Sequence, residues 1–104
     1  MTLALVVSPE AEAQIEVIND WWRAHRPAAP DLFSQELGEA FANVSAAPDV
    51  GHRYSRGGFK GVRRVSLRAT RHHVYYVVIE STVHVLAVWG SVKKRGPRLV
   101  MTGK

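Results

Sequence analysis

Residues 62–90, VRRVSLRATRHHVYYVVIESTVHVLAVWG, constrain the fold more than any other part of this chain. Three runs rich in Val, Ile, Tyr and Trp, at 62–69, 72–79 and 82–90, follow one another closely. Such residues suit a pleated, packed surface. Only Thr70–Arg71 and Glu80–Ser81 separate the runs. Breaks of two residues demand tight hairpin turns, because a parallel crossover needs a dozen residues or more. The segment is therefore expected to form an antiparallel meander, and the rest of the chain must pack on it.

With 104 residues, 46% of them hydrophobic, the chain is expected to be one domain with a single core. An ordered core over about 2–92 and a basic, Gly/Pro-broken tail from 93 to 104 are the expected limits. The absence of cysteine excludes disulfides, thiolate metal sites and a cysteine nucleophile. Residues 1–12, MTLALVVSPEAE, lack a positively charged start, and no apolar run is long enough to span a bilayer. The expectation is a cytoplasmic protein without membrane contact.

Before the meander, TLALVV reads as a short strand and Ser8-Pro9 as a helix start, Ser8 capping and Pro9 in the first turn. Ala11, Ile15, Ile18 and Trp22 recur at helical spacing, widened by Val17 and Trp21, and Pro27 should end the helix near His25. Phe33, Leu37, Phe41 and Val44 mark a second helix, with either Pro27 or Pro30 as its first residue and its end near Ala47. Residues 48–61 read as a loop. The expected fold is α+β: an N-terminal strand and an αα-hairpin packed on one face of a four-stranded, mainly antiparallel sheet.

Charge divides the chain. Residues 1–49 carry eight acids and two bases, whereas residues 50–104 carry one acid, Glu80, and twelve bases. An excess of this kind fits a polyanionic partner, nucleic acid or an acidic protein segment, although an idle basic surface would look the same. Arg53, Arg56, Lys60, Arg63, Arg64 and Arg68, with Lys93, Lys94 and Arg95 of the tail, are the candidate contacts. Strand alternation puts Arg64, Ser66 and Arg68 on one face and Val65, Leu67 and Ala69 on the other, toward the helices. Tyr54 and Phe59 either stack on bases or pin the loop to the core. No cofactor motif is present. The five histidines show no metal-ligand spacing, since the neighbours His72 and His73 must point to opposite faces of a strand.

The order of these pieces resembles the RelE/ParE superfamily of bacterial type II toxin–antitoxin toxins, and ParE more than RelE. The resemblance rests on LVVSPEAEAQIEVINDWW, the tight RPAAPDLF link, SAAPDVGHR, the strand set GVRRVSLRATRHHVYYVVI…VHVLAVWG and the closing RGPRL.

That resemblance implies a growth-inhibiting toxin held in a hetero-oligomeric complex by an antitoxin with an acidic C-terminal segment. Trp21, Trp22, Arg64 and Arg68 are the expected antitoxin contacts. It implies one of two targets. ParE-like members bind DNA gyrase without acting as enzymes, and RelE-like members cleave mRNA on the ribosome. In the second case Arg64, Arg68, Arg71 and His72 would be catalytic, but Ser91 and Val92 stand where a further base is wanted, and Gly90 where many ParE relatives carry His. A non-toxic basic module of the same fold is the remaining alternative.

Overall fold

The computed structural model describes residues 2–55, 60–93 and 95–99. Its elements are β1 (Ala4–Val7), α1 (Pro9–His25), α2 (Leu32–Ala46), β2 (His52–Arg53), β3 (Arg63–Leu67), β4 (His72–Ile79) and β5 (Thr82–Gly90). The sheet runs β1-β5-β4-β3-β2. All neighbours are antiparallel except β1, which lies parallel to β5 with Ala4 opposite Thr82. The architecture is the expected one, with a fifth strand added. His52–Arg53 pairs with Arg63 and Arg64, a two-residue ladder too short to show as a hydrophobic pattern inside a glycine-rich loop.

Helix α1 starts where its sequence says it should. Ser8 Oγ accepts the Ala11 N–H at 3.1 Å, Pro9 occupies the first turn, and Glu10 and Glu12 lie at the positive end of the helix dipole. The Ser8 N–H also donates to the Val85 carbonyl, so the cap is tied to the sheet. Farther along, the Gln14 side-chain carbonyl accepts the Val88 N–H at 2.9 Å. Val88 lies past the end of β1, and the amide takes the place a longer strand would fill.

Neither proline begins α2. Residues 26–31 instead form turns in which Ala29 N–H donates to Arg26 O and Trp22 Nε1 donates to Ala29 O. Asp31 becomes the N-cap, yet its carboxylate makes no cap bond because Arg23 holds it at 2.7 Å.

The β4–β5 turn is the two-residue hairpin expected, with Glu80 and Ser81 both at positive φ. The β3–β4 turn is longer. Strand β3 stops at Leu67, and residues 68–71 turn with Arg71 at φ 66°. The cause lies on α2. Glu36 takes the N–H groups of Ala69 and Thr70 and the Thr70 hydroxyl, drawing these groups out of the ladder.

Both sheet faces carry a core. The helix side holds Ala11, Trp22, Phe33, Leu37, Leu67, Val74, Val85 and Val88, continued by Val44, Tyr76 and Val83. On the other side Val62, Tyr75, Val77, Leu86, Ala87 and Leu99 pack together. A β-bulge serves both faces: Tyr75 faces Ala87 and Tyr76 faces Val85, leaving Leu86 as an extra residue. Leu86 and Ala87 can then both join the second core while Val85 and Val88 join the first. Pro97 and Leu99, in the segment after β5, are buried without regular secondary structure.

Candidate functional site

The second face of the sheet carries a cleft of about 370 Å³. It is built by register. Arg64 on β3 lies opposite Tyr75 on β4, and His73 lies opposite Trp89 on β5. Period-two alternation therefore sends Arg64, His73, Tyr75 and Trp89 out from one face. Arg53 and Tyr54 close one side, and Lys93 and Arg95 close the other. The return of the chain beyond β5 is held by Trp89 Nε1, which donates to the Arg95 carbonyl at 2.8 Å. Gly96 allows that approach, because a Cβ there would collide with the Tyr54 hydroxyl.

Aromatic rings set the positions of two cations. The Arg64 guanidinium lies over Tyr54 at 5.6 Å, and Lys93 Nζ lies over Trp89 at 4.6 Å. Tyr54 meets Tyr75 edge to face at 4.8 Å, so it does pin its loop to the second core. The lining includes Arg53, Arg64, Lys93 and Arg95 and no carboxylate. Burial, then the Arg64 charge, then His72 hold the His73 imidazole below its ordinary pKa. Burial raises the Tyr75 phenol, with Arg64 opposing the shift. At neutral pH the cleft thus presents fixed positive charge beside a neutral imidazole, an arrangement suited to holding an anion.

The candidate residues separate into distinct places. Arg53, Arg64, Lys93 and Arg95 meet in the cleft. Lys60 lies beside it, in a hollow shared with Arg53 and Arg63. Arg63 is a structural group: its guanidinium donates to Gly51 O at 2.7 Å and approaches Asp49. Arg56, Phe59 and Lys94 lie outside the described residues.

The expected pairing of Arg64 with Arg68 on one strand face is not found, since Arg68 belongs to the turn that Glu36 draws away. Arg71 shares that turn and lines another hollow with Trp21, Arg26 and His72, which borders the cleft at Lys93. His72 is on the helix face, its ring 5.2 Å from Phe33, and burial lowers its pKa against the opposing pull of Glu36. Arg64, Arg68, Arg71 and His72 therefore do not converge. Trp22 is a core residue at 9% exposure, while Trp21 is 45% exposed and stacks on His25 at 4.5 Å. His73, Tyr75 and Trp89 are cleft residues that sequence reasoning did not single out. Their strand parity relative to Arg64 was the available signal, but it needed the register.

A second surface runs along α1. Ala13, Gln14, Val17 and Ile18 form an apolar groove of about 320 Å³ with Val88 and Trp89, and Val17 is 69% exposed. Among the described residues no group of His, Asp or Glu could hold a metal ion, and no helix is long and apolar enough to cross a membrane.

A family model described as ParE toxin of the type II toxin–antitoxin system, parDE, matches residues 5–93. The chain belongs to the ParE toxin family. No curated protein matches it significantly. Among solved structures it is similar to a chain of the chromosomal ParDE toxin–antitoxin system from P. aeruginosa, with a TM-score of 0.70 and 17% identity over 86% of this chain and 96% of that one. It is also similar to a mutant of the E. coli toxin RelE in the free state, with a TM-score of 0.57 and 19% identity over 88% and 86% of the two chains. At these identities the structural likenesses speak for the shared fold.

Proposed function

We propose that the chain inhibits growth by binding DNA gyrase and that a cognate antitoxin with an acidic C-terminal segment neutralises it. The observation that carries this reading is the dispersal that sets Arg64, in the cleft, apart from Arg68 in the turn and from Arg71 and His72, which share another hollow. Acid–base cleavage needs its groups within reach of one phosphodiester, so dispersal favours a binder over a ribosome-dependent ribonuclease. Membership in the ParE family points the same way.

For the antitoxin, the apolar groove along α1 and exposed Trp21 offer the hydrophobic contact, and Arg64 offers charge on the far face. The basic half of the chain complements an acidic segment. Supercoiling by purified gyrase, measured with increasing amounts of the protein, tests the target. Inhibition or accumulated cleavage complexes is the expected result; supercoiling left untouched with no cleavage complexes overturns it. A small acidic reading frame beside the gene is the expected antitoxin source.

A further inference from the structure

We propose that the Arg64–Lys93 cleft binds the phosphodiester backbone of single-stranded nucleic acid. This does not depend on which protein is the growth-inhibition target.

Positive charge here is concentrated and uncompensated. The ion pairs Arg23–Asp31 and Arg63–Asp49 both lie outside the cleft. Arg53, Arg64, Lys93 and Arg95 share one wall system with no acid, and like charges gathered this way repel unless an anion enters. Their field is already felt inside, where Arg64 helps to hold His73 neutral.

Two of the cations are also pre-positioned. With Arg64 over Tyr54 and Lys93 over Trp89, part of their freedom is lost before any ligand arrives. The planar guanidinium fork matches phosphate oxygens, and Lys93 and Arg95 supply charge from the opposite wall. A cavity of about 370 Å³ is at the small end of ligand sites, which run roughly 300–1,000 Å³. That is room for a short length of a single strand and too little to enclose a duplex. An amphipathic acidic peptide is the less suitable occupant, because its apolar side chains would find a mainly polar wall here, whereas the apolar groove lies along α1.

Fluorescence anisotropy of a labelled single strand of about twelve nucleotides, titrated with the purified full chain over a salt series, tests the site. Replacing Arg64 and Lys93 by Gln should weaken binding about tenfold or more and reduce the salt slope by roughly one to two. Arg68→Gln with Arg71→Gln removes the same charge outside the cleft and should leave affinity within about twofold. Arg64→Lys, folded by circular dichroism, keeps the charge but loses the fork and should bind more tightly than Arg64→Gln and less tightly than the unaltered chain. A uridine and a thymidine strand tested in parallel separate RNA from DNA, and tight binding of either supports the phosphodiester site. Equal losses in the two double variants, a duplex bound as tightly, or a poly-glutamate peptide of the same charge bound more tightly would each overturn it.

Discussion

Glu36 on α2 holds Thr70 in the β3–β4 turn by two bonds to a single carboxylate oxygen, 3.0 Å to the N–H and 2.7 Å to the hydroxyl. Its other oxygen takes the Ala69 N–H at 2.7 Å. Thr70 is 5% exposed, so its N–H and hydroxyl have little water to fall back on, whereas Ala69 is exposed. Charge-assisted bonds of this kind contribute more than neutral ones, and their loss leaves buried donors without acceptors. Glu36→Ala is expected to cost about 2 kcal/mol, read as a lower urea midpoint. Because the clamp positions Arg68 and Arg71, hydrogen exchange at residues 68–71 should accelerate in the same variant.

The hydroxyl of Tyr76 joins two parts of the loop after α2. It donates to Pro48 O at 2.7 Å and accepts the buried Gly51 N–H at 2.9 Å. Tyr76→Phe keeps the ring in its core and strands the Gly51 donor, at a cost of about 1–3 kcal/mol in thermal or urea unfolding. Gly51→Ala should be at least as damaging, since a Cβ at Gly51 would fall 2.6 Å from the Tyr76 oxygen.

The β4–β5 hairpin has the right length and unfavourable residues. Glu80 (φ 50°) and Ser81 (φ 64°) both occupy the left-handed region, where side chains with a Cβ are disfavoured. Glu80→Asn with Ser81→Gly installs the dipeptide preferred in such turns. A gain of about 1 kcal/mol in unfolding free energy is expected, with the meander register unchanged.

Acid should weaken the fold through His72 and His73. Burial is the leading cause of a lowered pKa at both, from an ordinary value of 6.5. The unfolded chain then binds protons more readily than the folded one, so stability rises with pH in this range. It is present above about pH 6.5 and is lost as pH falls toward the lower folded values, below which the loss saturates. Urea midpoints from pH 8 to roughly 5 should show the decline, and His72→Gln should flatten it. Both rings are partly solvated, so the slope should be modest.

Much of the architecture was legible in local pattern. Ser8-Pro9, the stripe from Ala11 to Trp22, the stripe from Phe33 to Val44 and the three β runs each carry their own period, and an element's period is written in adjacent residues. The two-residue limit at Glu80–Ser81 and the lack of room for a crossover followed from chain length alone. The charge division between the halves, and with it the basic sheet face, was equally plain.

What the tertiary structure decided was everything that depends on partners distant in sequence. Arg68 leaves its strand because Glu36, far back in the chain, competes for the backbone of the turn. Arg64 and Lys93 line one cleft because the β3–β4–β5 register and the Leu86 bulge set Arg64 and Trp89 on the same face, and because Trp89 holds the segment beyond β5, which carries Lys93, through the Arg95 carbonyl. Pro97 and Leu99 carry no periodic signal, and only the assembled cluster of Val62, Tyr75, Val77, Leu86 and Ala87 gives Leu99 a place to bury. Periodicity describes one element at a time. A cleft between elements exists only once hydrogen-bond register and competition for backbone groups have set them against each other.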